Sequence, residues 1–182
     1  MSKAIDDLRH EHQAILFSLK ILEKVADKAA GGMGPAKKDA ADLVAFLKEF
    51  ADKCHHGKEE GILFPAMERA GIRKEGGPIG AMLAEHEASR NFIRQMTSGI
   101  EEGHVSGGKK FSEAARGYMD LLQSHIKKEN EILFPMGEAE LSDSELDLIY
   151  EKFEAHEEHV IGSGRHEELH AMLDAFEAKY LK

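Results

Sequence analysis

The chain has 182 residues and a formal net charge of −10, with 42% apolar and 32% charged residues. That length predicts one domain, residues 1–182, able to bury roughly two-thirds of its unfolded surface. The acidic balance excludes a nucleic-acid binder, which needs clustered Lys and Arg, and disfavours docking on anionic membranes.

The N-terminus is charged early and lacks an apolar core, so no signal peptide is expected. No apolar run approaches the ~20 residues of a membrane span. Cys54 is the sole cysteine and has no intrachain disulfide partner. A cytoplasmic location is the expectation.

The first helix carries Ile5, Leu8, His12, Ile15, Leu19, Leu22 and Ala26 at alternating spacings of 3 and 4, the inward stripe of a bundle helix. A Gly-rich stretch from Gly31 to Pro35 ends it. A second helix starts near Lys37, with Val44, Leu47, Ala51, His55, Glu59 and Ile62 inward. Pro65 is expected to kink or end it, leaving a short helical tail closed by Gly71. Pro78 opens the third helix, whose inner face is Ile79, Met82, His86, Ser89, Ile93, Met96 and Ile100. Gly103 and the Gly107-Gly108 pair form the next loop. The fourth helix turns Phe111, Ala114, Tyr118, Leu121, His125, Glu129 and Ile132 inward and is expected to stop at Pro135. Ser142 to Glu145 reads as a capping box for a fifth helix running to about Val160. A last helix covers roughly 165–181. The predicted fold is all-α: an up-down-up-down four-helix bundle with a pseudo-two-fold repeat over 1–137, plus two C-terminal helices over 138–182.

The chemistry is written twice. Residues 55–65 read His-His-Gly-Lys-Glu-Glu-Gly-Ile-Leu-Phe-Pro, and residues 125–135 read His-Ile-Lys-Lys-Glu-Asn-Glu-Ile-Leu-Phe-Pro. A shorter echo precedes each, Glu11-His12 and Glu85-His86. Six ionisable side chains thus stand at seam positions: His12, His55, Glu59, His86, His125 and Glu129. An unpaired polar group buried at such a position costs on the order of 1–3 kcal/mol, so a partner is required. His55 and Glu59, like His125 and Glu129, are four residues apart and share a helix face. Four imidazoles and two carboxylates suit a dinuclear metal centre, with the glutamates bridging and two histidines on each ion. A six-coordinate iron would then have roughly two places left, for a bridging oxide or hydroxide and an exogenous molecule. This donor set favours non-haem Fe, with Mn or Zn less favoured.

These residues resemble the hemerythrin-like, HHE cation-binding proteins. The resemblance rests on Glu11-His12, His55-x3-Glu59 with Ile-Leu-Phe-Pro, Glu85-His86 and His125-x3-Glu129 with Ile-Leu-Phe-Pro, over about residues 3–137. It implies a non-haem di-iron site in a four-helix bundle that meets O2, NO or peroxide. The invertebrate oxygen carriers of that family have a further histidine where this chain has Met82, and an aspartate at a longer spacing in place of Glu129. The glutamate-rich set resembles the bacterial and iron-sensing branches more. An iron-repair branch shares the ligands but usually adds a cysteine-bearing N-terminal segment, whereas this chain starts directly at its first helix.

The leading expectation is therefore a di-iron protein that binds or senses O2, NO or peroxide. The alternatives are a di-iron peroxidase or NO-detoxifying enzyme served by a partner reductase, and an iron store, donor or sensor acting through a protein partner. The C-terminal helices are the natural surface for such a partner. His56 reads as a partly exposed histidine, with an additional ligand as the alternative, and Glu60 as solvated or supporting the site. Cys54 reads as a buried, inert thiol and Tyr118 as a packed core residue. Met82, Ser89, Ile15 and Leu121 read as pocket walls, with Ser89 able to hydrogen-bond a bound oxygen species. His10, His104, His156, His159, His166 and His170 read as solvated.

Overall fold

The structure, a computed structural model, describes residues 2–31, 37–102, 109–162 and 164–182, apart from the side chain of His166. The loops expected at 32–35 and 103–108, with His104, lie outside the described residues. Helices form in the predicted order: α1 (Lys3–Ala30), α2 (Lys37–Phe46), α3 (Phe64–Arg69), α4 (Pro78–Glu101), α5 (Lys109–Lys128), α6 (Phe134–Glu140), α7 (Asp143–Val160) and α8 (Arg165–Tyr180). Among the described residues there is no strand, and no helix is long and apolar enough to cross a membrane.

Helices α2 and α3 belong to one continuous rod. Wider π-helical stretches, Leu47–His56 and Glu59–Leu63, join them, and a third, Glu129–Leu133, joins α5 to α6. The repeated proline explains the repeated widening. Proline has no N–H to donate, and its ring collides with the carbonyl four residues back in an α-helix. Just before each proline the ladder shifts to five-residue bonds: Phe64 N–H donates to Glu59 C=O, and Phe134 N–H to Glu129 C=O. Pro135 therefore does not stop its helix, which continues to Glu140. The wider turn also moves the inward position by one residue. Leu63 and Leu133 are buried, whereas Ile132, expected inside, is 54% exposed.

The rods close into a four-sided bundle: α1 and α4 each lie against both the α2–α3 rod and α5. The inward stripes of α1 and α4 are buried as the spacing predicts. Each fully buried Leu, Ile or Phe contributes roughly 1.5–3 kcal/mol. The capping box at Ser142 and Glu145 opens α7 as expected. That helix crosses α1 and the two π-helical stretches of the α2–α3 rod, while α8 packs on α1. The apolar core falls into two clusters. One holds Leu8, Leu63, Leu133 and Phe153; the other holds Ile15, Phe50, Ile93 and Leu122. His12 lies on α1 between Leu8 and Ile15, so a polar layer separates the two clusters.

Candidate metal centre

The six histidines and glutamates predicted as ligands all meet in this layer, and each is at most 1% exposed. Glu129 Oε2 lies 3.2 Å from both His12 Nε2 and His125 Nε2. Glu59 spans the other pair, with Oε1 3.6 Å from His55 Nε2 and Oε2 3.4 Å from His86 Nε2. Each carboxylate thus stands between a histidine of one half and a histidine of the other. The donor atoms fall into two groups, each within 4.8 Å: His12, His55, Glu59 and Glu129, and His56, Glu59, His86 and His125.

His56 is the departure from the sequence expectation. It is buried rather than partly exposed, and its ring stacks on His86 with centroids 3.8 Å apart. The π-helix is the cause. With more residues per turn, successive side chains diverge by less than the 100° of an α-helix, so His55 and His56 both face inward. The chain lacks the extra third-helix histidine of the oxygen carriers but brings a fifth histidine to the site from this position.

Each of the four histidines predicted as ligands is held from behind. His55 Nδ1 donates to Glu11 at 2.8 Å, and His125 Nδ1 donates to Glu85 at 3.0 Å. His12 Nδ1 donates to Asn130 Oδ1 at 3.0 Å, and His86 Nδ1 to Glu60 at 2.7 Å. An acceptor at Nδ1 fixes the proton there and leaves the Nε2 lone pair facing the centre. Lysines complete two relays: Lys58 donates to Glu11 at 2.8 Å, and Lys128 pairs with Glu85. Arg90 braces the second group, reaching Glu60 at 2.6 Å and Asp52 at 2.7 Å. The aromatic residue of each Ile-Leu-Phe-Pro stacks across the repeat, Phe134 on His12 and Phe64 on His86. Sequence reasoning did not assign the supporting roles of Glu11, Glu85, Lys58 and Lys128. Their signal was present in the doubled Glu-His and Lys-Glu pairs.

Eight buried atoms of this layer have no hydrogen-bond partner: His12 Nε2, His55 Nε2, both nitrogens of His56 and all four oxygens of Glu59 and Glu129. Left so, each would cost about 1–3 kcal/mol. Burial, and then the neighbouring His12, keeps His55 well below the ordinary imidazole range; burial and His86 do the same for His56. Neutral imidazole is the form that binds metal. Burial and the charge of Glu129 push the Glu59 carboxyl up. Burial opposes the Glu129 charge as well, but the imidazoles of His125 and His12 outweigh it and hold that carboxyl down. The pair resists carrying two negative charges unless cations neutralise them. Orphaned neutral nitrogens and carboxylate oxygens, converging in two groups, fit two metal ions.

The remaining expectations divide. Ser89 is buried, but its hydroxyl donates to the His86 carbonyl at 2.8 Å and is not turned to the centre. Met82 and Ile15 are buried beside the layer, and Leu121 is partly buried. Tyr118 is buried in the core with its hydroxyl unpartnered, and Cys54 is buried, with burial pushing its thiol up to about 12. His10, His159 and His170 are exposed and His156 is half-buried. Among the described residues, none of the C-terminal histidines joins a group able to hold a metal.

The comparisons with known proteins agree with this geometry. The sequence profile of the hemerythrin HHE cation binding domain matches residues 3–137. The iron-sulfur cluster repair protein YtfE of Yersinia pseudotuberculosis serotype O:1b is 32% identical over 135 residues, covering 70% of this chain and 58% of the relative. YtfE of Yersinia pestis strain Pestoides F is 35% identical over 101 residues, covering 53% of this chain and 45% of the relative. The matches thus span about half the length of these relatives, which are repair proteins by name rather than the iron sensors that the ligand set resembles. No solved structure matches the chain significantly. The doubled His/Glu motif, its convergence in one buried layer and the profile match lead to one assignment: the chain belongs to the hemerythrin HHE cation-binding domain family.

Proposed function

We propose that the chain is a di-iron protein, acting as one unit in the cytoplasm, that binds or senses O2, NO or peroxide. One observation carries the reading: five histidines and two glutamates converge in one buried layer, and the inward atoms of His12, His55, His56, Glu59 and Glu129 lack partners. His12 and His55 would hold one ion, and His56, His86 and His125 the other, with Glu59 and Glu129 shared. Imidazole with carboxylate suits non-haem iron better than Mn or Zn. Two irons held there would supply an open coordination position for a small ligand. With two histidines against three, His12 and His55 would leave more room for such a ligand than His56, His86 and His125. The rest of the work falls to the chain. Glu11, Glu60, Glu85 and Asn130 keep the imidazole protons on Nδ1, and the two apolar clusters keep bulk water from the layer.

The test is anaerobic loading with Fe(II), then titration with NO, O2 and peroxide while the optical spectrum is followed. A stoichiometric spectral change with one of these supports the reading; no change with any of them contradicts it. Multiple turnovers of peroxide or NO with an added reductase would move the protein to the enzyme class.

The similarity to YtfE favours a second reading, an iron donor in iron–sulfur cluster repair. Its test is iron transfer to an apo iron–sulfur protein. Transfer at a rate above that of free-iron release supports it, and iron held through the incubation argues against it.

A further inference from the structure

Residues 138–182 lie beyond the family match, yet α7 rests directly on the turn that carries His55, His56 and Glu59. At the centre of that contact is Lys58, whose side chain is 0% exposed. Its ammonium donates to Glu11 at 2.8 Å, to Asp7 at 3.0 Å and to Glu157 of α7 at 3.0 Å. All three N–H bonds are therefore used, and Glu157 supplies one acceptor. Glu11 holds His55 through its other oxygen. A chain of contacts thus runs from α7 to a ligand: Glu157, Lys58, Glu11, His55.

The turn itself is shaped for this helix. His156 reaches to 3.3 Å from the Lys53 carbonyl. A Cβ on Gly57 would stand 2.7 Å from His156 Nε2, so the glycine gives the ring its place. Phe153 is fully buried, with the Lys58 ammonium 5.6 Å from its ring centroid.

The repeat provides the comparison. Lys128, Glu85 and His125 form the same relay in the second half, but Lys128 is 38% exposed. The residue equivalent to Gly57 is Lys127, and among the described residues no carboxylate other than Glu85 reaches Lys128. The duplicated relays have diverged: one is closed under α7, the other faces water.

We propose that α7 is a positioning element of the metal centre, with Glu157 fixing His55 through Lys58 and Glu11 so that the ion at His12 and His55 is held more firmly. The inference rests on the two-metal reading above. Partners that orient a ligand from behind typically change metal affinity by about 10–100-fold.

The test uses the full chain loaded with Co(II), whose visible spectrum reports its ligands, and follows release to a chelator. Two equivalents released at separate rates are expected. In Glu157→Leu one of the two equivalents leaves about tenfold faster while the other keeps its rate, and Glu157→Gln, which restores an acceptor, falls between. Glu158→Leu, an exposed neighbour on α7, behaves as wild type. Unchanged release in Glu157→Leu overturns the proposal. So does equal acceleration of both equivalents with a matching fall in metal-free thermal stability, which would make α7 only a packing element. A wild-type chain that takes up no Co(II), Zn(II) or Fe(II) defeats the two-metal reading itself, and the proposal with it.

Discussion

Asn130 Oδ1 accepts from His12 Nδ1 at 3.0 Å, so the residue after one ligand glutamate steadies a histidine from the opposite half of the repeat. Glu60 does the same for His86. Each half supplies one such support to the other, and neither hairpin presents a finished site alone. Asn130→Ala is expected to weaken metal retention by about tenfold or more, measured by chelator competition. Wild-type affinity in that variant would show that the cross-brace is dispensable.

Glu129 stands between His12 and His125, and Glu59 between His55 and His86. Glu129→Ala or His55→Ala is expected to lose metal and to lower the melting temperature of protein purified with its metal. Calorimetry alongside elemental analysis checks both. Retention of two metals at full stability in either variant contradicts the ligand assignment.

His56 corresponds in the repeat to Ile126, which is buried in the apolar core. His56→Ile should therefore act oppositely in the two states. It removes two unpartnered buried nitrogens, so the metal-free protein gains on the order of 1–3 kcal/mol. The loaded protein loses affinity for one ion. Denaturant unfolding with and without chelator measures the two effects, and a loss of stability in both states would make His56 a packing residue only.

The site was legible where periodicity and duplication coincide. On α1 and α4 every residue that the 3–4 spacing set inward is buried, His12 and His86 included, because those helices keep α-helical geometry throughout. It failed at His56, Ile132 and Pro135, all in or beside π-helical stretches. There the residues per turn change, and a rule of 3.6 misplaces the next side chain. For Ile132 and Pro135 the cause was itself in the sequence, since each ligand glutamate lies six residues before a proline, but the response of the helix to that proline was not; the longer π-helical stretch around His56 has no counterpart before Pro135 and no such signal. The long-range partners were illegible for a different reason. Glu157 meets Lys58 only once α7 folds back across the bundle, and no local spacing reports that return.

Helix α8 is tied to the bundle by two carboxylates. Glu49 accepts from Arg165 at 2.9 and 2.8 Å, and these bonds hold its carboxyl below the usual range. Burial opposes the charge of Asp39, but hydrogen bonds from Lys179 and Tyr180 outweigh it and hold that carboxyl down too. Depressed carboxylates stabilise the folded state above their unfolded values of 4.5 and 3.8, and the contribution is lost as pH falls through the lower folded values. Pepsin digestion at stepped acid pH is expected to release the segment after Gly164 before it cuts the bundle. Cleavage within α1 or α4 first would show that α8 is not the acid-labile element.

The most direct measurement is metal content, by elemental analysis of protein expressed and purified without added metal, read with its optical spectrum in air and after reduction. About two irons per chain, with charge-transfer absorption that bleaches on reduction, is the predicted result. Zinc or no metal, with no spectrum recovered after anaerobic addition of Fe(II), would contradict the di-iron account and leave a bundle whose polar layer serves some other purpose.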